Sequence, residues 1–116
     1  MPMPPPQYID GRIFRVFIRE DGILQVDIHD DSFFELADAL ELVKAAGKLG
    51  AGKRFLNLIN VGNGCLVDDK ARLYSSSKEG SIYKLADAFV IRSFAQQLIA
   101  NFIIKVNRPP IPTAYF

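Results

Sequence analysis

From Arg12 to His29 apolar and polar residues alternate, with Phe14, Val16 and Ile18 on one side of a turn and Leu24, Val26 and Ile28 on the other. A period of two is the signature of a half-buried strand. A two-residue loop at Asp21-Gly22 would set Ile18 opposite Gln25 and Val16 opposite Asp27, mixing apolar and polar faces. A three-residue loop, Glu20-Asp21-Gly22, instead sets Ile18 against Leu24, Val16 against Val26 and Phe14 against Ile28. The pattern therefore predicts an antiparallel hairpin with Arg19 paired to Ile23 and Gly22 in a left-handed bulge position. On its outer face Arg15 falls opposite Asp27 and Ile13 opposite His29.

Beyond the hairpin the period changes. Ser32-Phe33-Phe34-Glu35 has the spacing of a capping box and predicts a helix start, with Leu36, Ala37, Leu40 and Val43 as the buried stripe and an end over Gly47 to Gly52. Arg54 to Asn60 is a strand, followed by a long turn from Val61 to Cys65. Asp68 or Asp69 caps a shorter helix reaching about Lys78, with Gly80 as its stop. Leu85 to Ile91 is short and continuously apolar, which suits a strand buried on both faces in a parallel sheet. From Phe94, apolar residues recur at Leu98, Phe102 and Val106, with a second row at Ala95, Ile99 and Ile103, so an amphipathic helix follows. Ser93 is placed to cap it, Asn107-Arg108-Pro109-Pro110 to stop it, and Thr113 to Phe116 to form a last strand. The order is β-β-α-β-α-β-α-β, an α/β fold with a mixed sheet: an N-terminal antiparallel hairpin, then βαβαβ crossovers.

At 116 residues this pattern fits one domain, residues 12–116, preceded by a flexible proline-rich arm over residues 1–11. A formal net charge of +1 gives no overall field for nucleic acid or an anionic membrane. The single Cys65 excludes an internal disulfide, and with the single His29 it falls short of a standard zinc site. No apolar run approaches a membrane span, and Met1 to Pro6 lacks the layout of a signal peptide. The expected compartment is the cytoplasm.

Candidate chemistry is sparse. Gly47-Lys48-Leu49-Gly50-Ala51-Gly52-Lys53 has the spacing of a phosphate-binding loop but follows a helix, precedes a strand and is continued by Arg54 where Ser or Thr is needed, so it is read as a helix stop. Cys65 has no histidine in its segment, and His29 beside Asp30 and Asp31 reads as a strand-end residue. Asp27, Asp30 and Asp31 lack the loop-closing glutamate of a cation site. No catalytic residue, metal or cofactor is assigned. Ser75, Ser76 and Ser77 are candidate acceptors of phosphate at a helix carboxyl end, where added negative charge is unfavourable. Open α/β sheets bind at the carboxyl ends of their parallel strands. Those ends, with the helix start beyond the first, nominate Asn60, Gly62, Asn63, Gly64, Asp68, Asp69, Arg92 and Ser93 as a partner- or anion-binding surface.

The segment Ala95-Gln96-Gln97-Leu98-Ile99-Ala100-Asn101-Phe102 with Asn107-Arg108-Pro109-Pro110-Ile111-Pro112-Thr113, set in this element order, resembles a small bacterial branch of the STAS-like (anti-sigma-factor-antagonist-like) family. That resemblance implies helices mainly on one side of the sheet and a non-enzymatic regulatory role in protein–protein interaction. The family's phosphorylatable serine maps near Val67-Asp68-Asp69, where no hydroxyl stands. Its members usually finish with a helix after the last strand, whereas this chain ends at Phe116, so a less covered sheet face and a homodimer are expected. The alternative is a small apolar-ligand (lipid-like) binding protein, with the helix from Phe94 to Val106 walling a cavity.

Overall fold

The computed structural model describes residues 7–102, 105 and 108–116. In chain order its elements are β1 (Tyr8–Asp10), β2 (Phe14–Ile18), β3 (Leu24–Ile28), β4 (Phe33–Phe34), α1 (Leu36–Leu49), β5 (Phe55–Asn60), β6 (Leu66–Val67), α2 (Asp69–Ser75), a 3₁₀ turn (Glu79–Ser81), β7 (Lys84–Val90), α3 (Phe94–Phe102) and β8 (Thr113–Tyr115). Six strands form one mixed sheet in the order β1-β2-β3-β5-β7-β8, while β4 and β6 pair separately. The expected α/β architecture is the observed one.

The hairpin has the register that face matching demands: Phe14 pairs with Ile28, Val16 with Val26 and Ile18 with Leu24. Arg19 N donates to Ile23 O at 2.8 Å and Gly22 adopts φ +84°, the left-handed conformation that closes a three-residue loop. Phe14, Val16, Leu24 and Val26 are fully buried and form the centre of the core. Burying side chains of this kind stabilises the fold by about 1.5–3 kcal/mol each.

Residues 8–10 of the arm expected over residues 1–11 belong to the sheet. Tyr8–Asp10 forms β1, antiparallel to β2, with Ile9 packed on the core. On the opposite face Arg15 holds this edge strand by hydrogen bonds to Asp10 Oδ1 and Oδ2 at 2.7 and 3.1 Å, and its guanidinium lies 3.9 Å over the Tyr8 ring. Met1 to Pro6 lies outside the described residues.

The first helix begins later than the Ser32 spacing implies. The Ser32 hydroxyl donates to His29 O at 2.7 Å, and Phe33–Phe34 is drawn into pairing with Leu66–Val67, so no helix can form before Leu36. Glu35 becomes the N-cap and Asp38 completes the capping box, accepting from Glu35 N at 2.9 Å. This register turns Asp38, Ala39, Ala45 and Ala46 inward and leaves Leu40 48% exposed, displacing the expected stripe. Asp38 is 2% exposed and takes Arg12 Nε and Nη2 at 3.2 and 2.7 Å, an ion pair that joins the helix start to the entry of β2.

Asp68 caps α2, accepting from Lys70 N at 3.2 Å. The helix ends at Ser75 rather than near Lys78, because the Ser76 and Ser77 hydroxyls donate to the Arg72 and Tyr74 carbonyls and turn the chain into the 3₁₀ segment. Gly80 is no helix stop: it is buried in that segment beneath the Tyr74 carbonyl.

Each parallel crossover steps to the next strand in the same direction, and α1, α2 and α3 lie on the same face as the core side chains of the sheet. That arrangement corrects two expectations. Among the described residues β7 is covered on one face only, so Leu85 and Leu56 on the other are 51% and 52% exposed. In α3, Gln96 and Ala100 are buried, with Ile99 partly so, while Phe94 and Leu98 are 78% and 55% exposed. Ser93 caps α3 as expected, accepting from Gln96 N at 3.2 Å. Ile103, Val106 and Asn107 of the expected stripe and stop lie outside the described residues.

Candidate functional site

The carboxyl ends of β3, β5 and β7 meet at the loop from Val61 to Cys65. Beyond β5, Val61 N still donates to Val90 O at 2.9 Å, so the loop leaves the sheet centre already aligned with β7. It then passes so close to the end of β3 that a Cβ on Gly62 would stand 2.2 Å from His29 O. Only glycine allows that approach. Asn63 is held from both sides of its peptide: its N–H donates to Asp30 Oδ1 at 2.8 Å and its carbonyl accepts from Asp31 N at 2.8 Å.

Gln96 fixes the same loop from the opposite side. Its Nε2 donates to Gly62 O at 3.1 Å and to Cys65 O at 3.4 Å, while its Oε1 accepts from Arg92 N at 2.7 Å. One buried carboxamide thereby joins the loop after β5 to the loop after β7. Gln96 falls outside both apolar rows of its helix, and the signal that would have found it is its position, three residues after a capping serine.

The result is a cleft lined by Asp27, Asp30, Asn60, Gly62, Asn63 and Arg92. Of the nominated surface, Asn60, Gly62, Asn63 and Arg92 therefore converge. Asn60 Nδ2 donates to Asp27 Oδ1 at 2.8 Å, and Gln25 Nε2 reaches the same oxygen at 2.9 Å. Ser93 is occupied by capping, and Gly64 lies against Asp31. Asp68 and Asp69 stand at the start of α2, with Asp69 79% exposed at its side chain and paired to Arg72 at 3.0 Å. Ser75, Ser76 and Ser77 lie at the other end of α2, outside the cleft, with the Ser76 and Ser77 hydroxyls committed to backbone carbonyls.

Next to the loop, the two-stranded sheet sets Phe33 beside Leu66 in register. Leu66 N donates to Ser32 O at 2.9 Å and Asp68 N to Phe34 O at 2.9 Å, which fixes this pair on the surface. Phe33 is 48% and Leu66 64% exposed, and Glu35, Asp68 and Asp69 flank them in the chain. Cys65 is buried under the loop, and burial pushes its thiol up from the ordinary value.

A family model matches residues 17–116, from within β2 to the last residue. The chain belongs to the DUF7793 family. That family is described as a domain of unknown function. Neither a curated protein nor a solved structure matches the chain significantly. In this DUF7793 domain the match includes the whole loop, its Gln96 clamp and the Phe33–Leu66 pair, and leaves out β1.

The carboxylates of Asp27 and Asp30 are engaged in holding Asn60 and the Asn63 amide, and no group of three or more metal-ligating side chains occurs among the described residues. No described helix is long and apolar enough to cross a membrane.

Proposed function

We propose that this DUF7793 domain is a non-enzymatic, STAS-like binding module of the cytoplasm that docks a protein partner on its loop surface. The observation that carries the reading is the exposed Phe33–Leu66 pair beside the braced loop. An apolar centre bordered by charged and polar groups is the anatomy of a protein interface. The border here is charged and acidic on balance: Asp30, Asp31, Glu35, Asp68 and Asp69 are close by in the chain, with Glu35 paired to Arg12 and Asp69 to Arg72. A partner with basic residues around an apolar anchor complements it. The loop's polar groups hold the loop in place, which favours a fixed docking shape over chemistry. A sheet carrying its helices on one face supports the STAS-like reading.

We further propose a homodimer, formed through the sheet face that carries Leu56, Leu58, Leu85 and Val90, which no helix covers among the described residues. Substitution separates the two surfaces. Leu66→Lys or Asn63→Ala weakens partner binding at least tenfold with the fold and dimer intact, as expected for interface anchors. Leu56→Lys dissociates the dimer and spares the partner. Unchanged partner affinity in both loop variants overturns the docking assignment.

A further inference from the structure

A cavity of about 150 Å³ lies between the sheet and its helices. Val26, Ile59 and Phe89 form its floor, and Ala46 of α1 with Ile99 and Ala100 of α3 close it from the helix side. An apolar cavity of that size is large enough for a benzene-sized molecule. Its floor is not apolar throughout. The register of the parallel strands places Leu24, Asn57, Asp87 and Thr113 in one row across the core face, so two polar side chains enter from the central strands.

Those side chains are 7% exposed each. Asn57 Nδ2 donates to Asp87 Oδ1 at 3.1 Å, and Lys84 Nζ donates to Asp87 Oδ2 at 2.9 Å. Both carboxylate oxygens therefore have donors. Among the described residues Asn57 Oδ1 has none, and Asn57 lines the cavity. Its orientation is fixed, because a carboxylate accepts only and the amide must present its nitrogen to Asp87. A buried acceptor without a donor is costly, and a hydrocarbon entering the cavity would leave it so. A carboxylate would set a second acceptor against it, and an ammonium group would lose its hydration beside Lys84.

We propose that this cavity binds a small neutral molecule with an aromatic or compact aliphatic body and one hydroxyl, which donates to Asn57 Oδ1. This site is separate from the loop surface.

The test uses benzyl alcohol, toluene and benzoate as probes on the full chain, followed through the methyl resonances of Ile59 and Ile99. Benzyl alcohol is expected to give saturable shifts at both methyls with an affinity about tenfold above that of toluene, the difference made by one hydrogen bond. Asn57→Leu removes that preference, and Ala100→Leu, which fills the space, removes binding of both probes. The comparison of probes on the unaltered chain decides the matter even if Asn57→Leu fails to fold. Equal affinities for benzyl alcohol and toluene, with water serving Asn57, overturn the proposal. So do tighter binding of benzoate or the absence of saturable shifts with every probe.

Discussion

Gln96 Nε2 donates to Gly62 O at 3.1 Å across 34 residues of sequence, and its Oε1 accepts from Arg92 N at 2.7 Å. Two loops that would otherwise end independently are thereby fixed to one side chain. Gln96→Leu keeps the size and removes the bonds, leaving buried polar groups unanswered. A loss of about 2–3 kcal/mol in unfolding free energy is expected, with faster amide exchange at Arg92 and Val61 than in the parent chain. Unaltered exchange there would show that the loop is held by other contacts.

The Arg12–Asp38 pair predicts the acid limb of stability. Burial alone would raise the Asp38 carboxyl, but the Arg12 guanidinium and the Glu35 amide outweigh it and hold the group below its ordinary 3.8. A depressed folded value contributes stability above the unfolded value and loses it as pH falls through the folded one. Chemical denaturation at a series of pH values should therefore show stability falling below about pH 4. Asp38→Asn flattens that fall, and Asp38→Ala, which also removes the capping box, costs about 2 kcal/mol at neutral pH.

Cys65 is buried, and burial raises its thiol above the ordinary value. The thiolate is the reactive form, so a disulfide reagent at pH 8 should label the native protein far more slowly than the denatured chain. The gap should narrow above pH 9, as the stability tied to the protonated thiol is lost. Rapid native labelling would mean that the loop over Cys65 opens readily.

Tyr115 stacks on Phe89 with ring centroids 4.9 Å apart, and burial, with the Asp87 charge, pushes its hydroxyl up to about 12. An ultraviolet titration should show one of the tyrosines ionising late. Stability should decline as pH rises from about 10 toward 12, because the unfolded chain releases the proton first. Tyr115→Phe should remove that late component and the associated decline.

Much of this fold is legible in short-range pattern. The hairpin register followed from matching Ile18 to Leu24 and Phe14 to Ile28, since a slip of one residue would have reversed both faces. The α2 and α3 starts followed from Asp68 and Ser93, whose caps are local interactions. Long-range pairing was not legible. Leu66–Val67 draws Phe33–Phe34 out of the first helix, and Arg12 selects Asp38 for the buried side of α1, neither of which periodicity can register. For the same reason the buried face of α3 was misassigned: Phe94 and Leu98 are apolar but exposed, whereas Gln96 is polar and buried by its bonds to a distant loop. Asn60, Gly62, Asn63 and Arg92, nominated from strand topology and the glycine and asparagine content of the loop, line one cleft.

The most direct test is native mass spectrometry of the protein purified gently from its own cells, run beside Leu66→Lys. The proposed function predicts a dimer carrying a second polypeptide in the parent sample and the dimer alone in the variant. A parent sample without a second chain, or a second chain retained undiminished by Leu66→Lys, would contradict it.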